Sequence, residues 1–337
     1  MKKIALLIAL VLLVAGSASQ AFAASSAAVL PLLISPGARA SGMGEEVATA
    51  TTAVSPKLAE SLPRGLPKLA SETGSLYVRQ LKRLSRQPTI IVFSLVQPLI
   101  WLVLFGQMFS RIARFPGAAQ QFGNVSYLQF FIPTVMLQSV LFGAGQSGVG
   151  IITDIDSGFL DKLLTTPINR LAILLGRVLG DLTRMTCQIV LVVLIGWAIG
   201  GFQTPHISFY YGIGGVLGAL VIAMMFALVL MGFNVFIALT TRSVESTFLL
   251  GNFLTLPLLF TSSAQLPISL LPHWMQVVAR VNPVTYTINA MRVLLNGPAA
   301  ATDHSVAVTI LLALAILLGL ATVTMTFATR RFQNAVG

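Results

Sequence analysis

The chain has 337 residues, of which 55% are hydrophobic and only 9% charged, and its formal net charge is +11 at pH 7. A soluble globular domain carries about 25% charged residues, so this composition excludes a sizeable water-soluble domain and predicts an all-α polytopic membrane protein. The basic residues lie at the ends of apolar runs and not on one face, which argues against nucleic-acid binding and indicates topology signals.

The first 23 residues have the form of a secretory signal. Lys2 and Lys3 provide a positive start, residues 4–15 form an apolar core too short to span a bilayer, and residues 21–23 resemble a small-x-small cleavage site. We therefore interpret residues 1–23 as a signal-peptide-like segment.

Residues 24–73 are rich in Ala, Ser, Thr, Pro and Gly, which predicts a disordered linker or a transit-like segment. Cleavage at Ala23 would place residue 24 outside, whereas the basic residues before the first long apolar run require the inner side. Three explanations stay open: a misassigned start or uncleaved signal, a short extra span or hairpin, or a two-part plastid address. The corresponding locations are the bacterial cytoplasmic membrane and a plastid membrane.

Residues 74–87 alternate apolar and basic positions at helical spacing and predict an amphipathic interface helix whose basic side meets anionic lipid. The basic residues are Arg79, Lys82, Arg83 and Arg86.

Six later runs are long enough to cross a bilayer, which needs roughly 20 apolar residues. They cover residues 89–110, 128–153, 171–199, 209–240, 247–261 with an extension to 271, and 305–328. Lys and Arg are concentrated in one set of alternating connections, which predicts that residues 154–170, 241–246 and 329–337 lie inside.

A charged segment, residues 154–170, separates the second and third runs. Phe159, Leu160, Leu163 and Leu164 recur at helical spacing among acidic and basic residues, and Pro167 ends the pattern. We expect an amphipathic helix at the membrane surface, attached at both ends to spans and therefore suited to passing force from a soluble partner.

Prolines at positions 257, 267, 272 and 283 interrupt the helical pattern of residues 257–298. Short helices over residues 273–281 and 284–295 are expected between them, which predicts a re-entrant helical hairpin on the outer side. Trp274 and Tyr286 would lie at the outer interface.

The third run contains Asp181 with Arg177 and Arg184 at helical spacing, which predicts ion pairs near the inner surface and not a proton path. Cys187, the only cysteine, is expected to be a buried small hydrophobe. Glycines 143, 145, 148 and 150 are expected at helix contacts.

No Gly-Lys pair occurs in the chain, so a P-loop is excluded, and neither a catalytic arrangement nor Cys/His metal spacing is present. The chain is therefore expected to be neither an enzyme nor a metal protein.

Two motifs resemble the membrane subunit of type-2 ABC exporters, in particular the bacterial and plastid multidrug-type or lipid-export permeases. The first combines the residues Asp154, Asp156, Gly158, Phe159, Leu160, Lys162, Leu163, Leu164 and Pro167. The second combines Pro272, Trp274, Asn282, Pro283, Tyr286 and Arg292. The family pattern usually has Glu where this chain has Asp156, and it does not include residues 1–73.

The resemblance covers residues 74–334 and implies a six-span permease domain with an interface helix, a cytoplasmic coupling helix and an outer re-entrant hairpin. It implies export of a drug, lipid or glycolipid by a homodimer or heterodimer of permeases in contact with membrane lipid. The coupling helix, residues 154–167, would dock on a separate ABC ATPase subunit that binds the ATP, with Phe159 and Leu160 as its apolar anchor. Two alternatives are an ion-coupled transporter or channel acting alone and a non-transporting membrane assembly factor.

Overall fold

The computed structural model describes residues 66–86, 88–109, 122, 125–165, 168–201, 209–300 and 305–336. Within these residues the regular elements are helices, in the order α1 (Leu66–Arg86), α2 (Pro88–Met108), α3 (Tyr127–Asp156), α4 (Phe159–Leu164), α5 (Arg170–Gly201), α6 (Gly212–Thr241), α7 (Val244–Phe260), α8 (His273–Val281), α9 (Pro283–Asn296) and α10 (Val306–Val336). The expected all-helical architecture is confirmed for this part of the chain. The predicted signal segment 1–23 and most of segment 24–73 lie outside the described residues.

Four helices, α3, α5, α6 and α10, have the length and apolar composition needed to cross a membrane. Two shorter apolar helices, Ser94–Met108 within α2 and Val244–Phe260, correspond to the first and fifth predicted runs. The helices of the structure therefore coincide with most of the residues in the six predicted runs.

Helix α3 lies at the centre of the bundle and contacts α2, α5, α6, α7 and α9. In its most apolar stretch 89% of the residues are buried, against 17% in α10, which packs mainly on α6 and α9. Because α3 contacts most of the other helices, a movement of its end would be transmitted to them.

Helix α5 runs antiparallel to α3 and α10, whereas α6 runs parallel to α10, and the ends of these long helices form two distinct regions. At one of them the Arg170 Nη1 group donates to the Gln333 carbonyl oxygen at 3.5 Å, which joins the start of α5 to the end of α10. We call this region, which also contains the end of α3, the polar end. The opposite region contains residues 261–300 and is called the proline-rich end.

Helix α7 ends at Phe260, so the predicted extension of the fifth run through residues 262–271 is wrong. Its last carbonyl groups are satisfied by side chains: Asn282 Nδ2 donates to the Leu258 oxygen at 2.7 Å, and Ser262 Oγ donates to the Leu259 oxygen at 2.6 Å. Because these bonds replace the next helical turn, the chain can leave the helix before Pro267.

Close helix contacts confirm three of the four glycines expected at packing positions. A Cβ atom added at Gly148 would lie 2.7 Å from the Asn234 carbonyl oxygen, one at Gly143 would lie 3.1 Å from Met185 Cγ, and one at Gly150 would collide with Arg177. A Cβ atom added at Gly145 would meet no atom of another described element within 4 Å, so the expectation for this position is wrong.

Helix α1 begins at Leu66, before the predicted start of the interface helix, and packs against a pair of glycines on α5. Gly176 and Gly180 are four residues apart and therefore share one helix face, which lets the backbones approach closely. A Cβ atom at Gly176 would lie 2.7 Å from Leu76 Cβ and 3.2 Å from the Thr73 carbonyl oxygen.

The Gly176→Leu variant is expected to separate α1 from α5, because its larger side chain has no space beside the α1 backbone. In a Cys187→Ser background, a cysteine at Thr73, which is buried in the parent, should react several-fold faster with a water-soluble maleimide. The matched control is Gly145→Leu, which fills open space and should leave the labelling rate unchanged. Equal rates in both variants would contradict the packing role of Gly176.

Candidate functional site

The charged segment begins where α3 ends at Asp156. Ser157 and Gly158 form a turn in which the Ser157 amide donates to the Thr153 carbonyl at 3.0 Å and the Gly158 amide to the Ile155 carbonyl at 2.9 Å. Gly158 has a φ angle of +64°, in the left-handed region that glycine adopts without steric cost. The glycine therefore redirects the chain from α3 into the six-residue helix α4.

Two apolar side chains of α4, Phe159 and Leu160, pack against the rest of the chain. Leu160 is 6% exposed and belongs to the hydrophobic core, and the guanidinium carbon of Arg79 lies 3.5 Å from the centre of the Phe159 ring. Partial burial lowers the pKa of the Arg79 guanidinium from its ordinary value, and the nearby Asp154 carboxylate opposes this shift. Leu160 is thus not available as the expected anchor on a partner, because this chain already covers it.

Helix α1 contacts the charged segment at both ends. Arg83 Nη1 lies 3.6 Å from Asp154 Oδ1, and the Asn169 amide donates to Glu72 Oε2 at 2.9 Å. Together with the stacking of Arg79, these bonds connect the start, the middle and the end of the segment to one helix.

An ion network continues from the charged segment into the bundle. Arg177 pairs with Asp154, and its Nε atom lies 3.9 Å from Asp181 Oδ2. Arg184 Nε lies 3.7 Å from Asp181 Oδ1, and Ser147 Oγ donates to Asp181 Oδ2 at 2.6 Å. The pairing of Asp181 with both arginines, predicted from the helical spacing, is confirmed.

Two polar residues just before the Gly158 turn face outward. Asp156 and Ser157 are exposed, and Asp156 takes part in none of the ion pairs between described side chains. Lys162 and Leu164 lie in α4, while Pro167 lies outside the described residues. Asp154, two residues before Asp156, is the acidic residue that pairs with cations.

The basic residues of α1 divide into two groups. Arg79 and Arg83 turn toward the charged segment, whereas Lys82 and Arg86 are exposed and form no ion pair with another described side chain. The expectation that this basic side meets anionic lipid stays a prediction.

At the proline-rich end, Asn282 and Pro283 define the corner between the two short helices, which have nearly the predicted bounds. The Asn282 side chain caps α9 by accepting from the Val284 amide at 2.9 Å, and Pro283 occupies the first helical turn. Tyr286 Oη donates to the Arg280 carbonyl at 2.5 Å, while Pro272 and Trp274 are exposed. The short helices and the proline break between them therefore occur in the order that the second motif predicts.

Arg292 is buried, 3% exposed, and attaches α9 to the central helix. Its Nη2 group donates to the Ala264 carbonyl at 2.8 Å, its Nε group to the Phe130 carbonyl at 3.4 Å, and its guanidinium lies 3.6 Å from the Phe130 ring centre. Thr134 Oγ1 donates to the same Ala264 oxygen at 2.6 Å. The sequence pattern gave no signal for Phe130, Ala264 or Thr134.

Comparison with protein families identifies both regions as parts of one domain. Residues 71–296 match the family model described as ABC-2 type transporter. The chain belongs to the ABC-2 type transporter family. The matched residues begin in α1, include the charged segment and end with α9, so both motifs lie within them.

Curated relatives of this ABC-2 type transporter are named as permeases. It is 30% identical over 240 residues to the transport permease ycf38 of Cyanophora paradoxa, covering 67% of this chain and 78% of the relative. It is 31% identical over 221 residues to the daunorubicin resistance ABC transporter permease protein DrrB1 of Streptomyces coeruleorubidus, covering 64% and 72%. The inner membrane transport permease YadH of Escherichia coli K12 is 25% identical over 231 residues, covering 65% and 80%.

These similarities show a multi-pass integral membrane protein that acts as a transport permease and is not itself an enzyme. Permeases of the ABC-2 type typically pair with an ABC ATPase subunit.

Proposed function

We propose that this permease is the membrane-spanning subunit of an ATP-driven exporter and that a separate ATPase subunit moves it through the charged segment. The observation that carries the proposal is the attachment of the charged segment to several helices at once. Leu160 is buried in the core, Arg79 of α1 stacks on Phe159, and Asp154 at the end of α3 pairs with Arg177 of α5. A force on the charged segment therefore acts on α1, α3 and α5 together.

The partner would recognise polar groups, since Leu160 of α4 is already buried within this chain. Asp156 and Ser157 stand outward beside the Gly158 turn and form the proposed contact surface. Charged contacts at the edge of an interface set orientation and association rate more than affinity. In this proposal Asp156 docks into a groove of the ATPase, and Leu160 does not serve as an apolar anchor.

The proposed architecture has six spans, with α2 and α7 crossing the membrane beside the four longer helices. Helix α7 has 17 residues, and the apolar stretch of α2 covers only Ser94–Met108, whereas an apolar core of about 30 Å needs roughly 20 residues. Flanking residues must therefore complete each crossing. The polar end lies inside, because the basic residues of α1 and those near the starts of α5 and α7 accumulate there.

The proposed substrate is amphipathic, such as a drug, a lipid or a glycolipid. The spanning helices are predominantly apolar, and the described acidic residues lie toward the polar end. An apolar path with polar groups at its entrance suits such a molecule better than a bare ion. The name of the Streptomyces relative refers to daunorubicin resistance, which supports this substrate class.

Two copies of this chain, or this chain and a related permease, are proposed to form the pathway between them. Helix α7 exposes a row of large apolar side chains: Phe248, Leu249, Phe253, Leu256 and Phe260. Phe260 also contacts Trp101 of α2 with ring centroids 6.4 Å apart, so the exposed surface extends from α7 to α2. Two such faces can pair around a two-fold axis.

The decisive experiment is affinity purification of the tagged full chain from native membranes, with the retained ATPase subunit quantified by mass spectrometry. Asp156→Lys should reduce ATPase retention about tenfold, since a reversed charge at an interface repels its former partner. The protein itself should remain folded because Asp156 is exposed.

The matched control is Glu245→Lys, which reverses another exposed acidic residue at the polar end without touching the charged segment. Retention should be unchanged in this variant. If both variants retained the ATPase as well as the parent, the proposed contact at Asp156 would be wrong. If the parent retained no ATPase, the exporter assignment itself would fail.

Two membranes fit the N-terminal region: the bacterial cytoplasmic membrane, or a plastid membrane reached through a two-part address in residues 1–73. The mature N-terminus, read from the same purified sample, distinguishes them. Removal of most of residues 1–73 supports the plastid membrane, whereas an intact signal-like segment supports the bacterial one.

A further inference from the structure

A polar cavity of about 220 Å³ lies between α1, α3 and α5 close to the polar end. Its wall includes the side chains of Gln80, Arg83, Gln146, Arg177, Asp181 and Arg184. The coupling proposal uses only the pairing of Asp154 with Arg83 and Arg177 at its edge, so the cavity itself is still without a role.

The cavity wall carries a surplus of positive charge. Three guanidinium groups, from Arg83, Arg177 and Arg184, face it, whereas Asp181 supplies the single carboxylate among the lining residues. Asp154 pairs with two of the three arginines, and including it still leaves the guanidinium groups in excess.

Two of these arginines are largely removed from solvent, with side-chain exposures of 13% for Arg177 and 9% for Arg184. The Nε atom of Arg177 is buried and has no hydrogen-bond acceptor, since the nearest Asp181 oxygen is 3.9 Å away. An uncompensated charge in a membrane interior is costly, so an additional anion in the cavity would be stabilised.

The arrangement of donors selects the kind of anion. Arginine offers a planar fork of N–H groups that matches phosphate and carboxylate oxygens, and the amides of Gln80 and Gln146 add neutral donors to the same wall. A cavity of this volume holds a phosphoryl group but not a whole lipid. The acyl chains of a lipid would therefore remain outside it.

The cavity opens where α1 is expected to lie at the headgroup level of the membrane. Arg83, Gln146 and Thr153 are exposed at its mouth, whereas Arg177 and Arg184 lie deeper. An anion entering from the membrane surface therefore meets one exposed arginine first and the buried pair afterwards.

We propose that this cavity is a binding site for one phosphoryl group, supplied by the headgroup of an anionic phospholipid or by a soluble phosphate. The group completes the charge balance of Arg83, Arg177 and Arg184 and fastens α1 to α3 and α5. The site is independent of the exporter proposal, because binding is measured without transport or ATP.

The test is native mass spectrometry of the full chain in detergent micelles titrated with phosphatidylglycerol, with phosphatidylcholine as the zwitterionic comparison. The parent should retain one phosphatidylglycerol in preference to phosphatidylcholine. Arg184→Gln should weaken this retention about tenfold, since it removes a charge-assisted bond. The control Arg280→Gln changes an exposed arginine at the proline-rich end and should leave retention unchanged.

A second variant keeps every ion pair of the network. Gln146→Glu adds a negative charge at the exposed mouth of the cavity with little change in shape, so it should repel the anion and also weaken retention about tenfold. If Arg184→Gln does not fold, Gln146→Glu alone tests whether the cavity binds an anion.

Inorganic phosphate in large excess distinguishes the two sources. If it displaces the retained lipid, the site takes soluble phosphate, and if it does not, the site is specific for the lipid headgroup. Either result supports a phosphoryl site. Equal phosphatidylglycerol retention by the parent, Arg184→Gln and Gln146→Glu would overturn the proposal.

Discussion

Asp181→Asn is expected to destabilise the protein by about 3 kcal/mol and to abolish most transport, because it leaves two buried arginines without their shared carboxylate. Asp181 is 6% exposed and lies between Arg177 and Arg184, with Ser147 donating to one of its oxygens. The asparagine keeps the shape of the side chain, so the loss reports charge and not packing. Thermal unfolding of the purified chain in detergent measures the stability.

A double variant tests the electrostatic cause. Asp181→Asn combined with Arg184→Gln removes one negative and one positive charge, so it should regain part of the lost stability relative to Asp181→Asn alone. Asp156→Asn is the exposed control and should unfold at the parent temperature. If the double variant were less stable than the sum of the single variants predicts, the network would not be held by charge compensation.

Arg292→Ala should disconnect the proline-rich end from the central helix at a cost of about 3 kcal/mol. The substitution removes the donors to the Ala264 and Phe130 carbonyls and the stacking on the Phe130 ring, and it leaves a cavity in the buried face of α9. The measurement is again thermal unfolding in detergent, supplemented by protease cleavage within residues 261–272.

Two further variants make the Arg292 prediction specific. Arg280→Ala, an exposed arginine at the same end, should have little effect. Arg292→Lys keeps the charge but has one donor group in place of a fork, so it should fall between Arg292→Ala and the parent. Equal unfolding temperatures for Arg292→Ala and Arg280→Ala would show that the contacts of Arg292 contribute nothing to stability.

Short-range sequence patterns were sufficient to predict much of this fold. Proline lacks an amide donor and fixes φ, so the breaks at Pro272 and Pro283 could be predicted, and α8 has the predicted bounds. The predicted break at Pro257 is wrong, because Pro257 lies inside α7. The pairing of Asp181 with Arg177 and Arg184 depends only on helical spacing, and the structure confirms it.

The sequence could not predict which surfaces are buried or which part of the protein covers them. The pattern in α4 predicts one apolar face, but whether a partner or the same chain covers that face is a tertiary question, and the structure buries Leu160 internally. The early end of α7 depends on Asn282, which lies far along the chain from the Leu258 carbonyl that it satisfies. Similarly, Gly145 fits the small-residue pattern, but a Cβ atom placed there would meet no atom of the described residues within 4 Å.

The only cysteine of the chain, Cys187, lies exposed on the outer surface of α5, although burial was expected. Because α5 crosses the apolar part of the bundle, this thiol faces the side that acyl chains would occupy. A nitroxide spin label attached there requires no other substitution. Pulsed electron resonance on the labelled assembly would then give one inter-spin distance if two identical chains pair, and none if this permease pairs with a different, cysteine-free sibling.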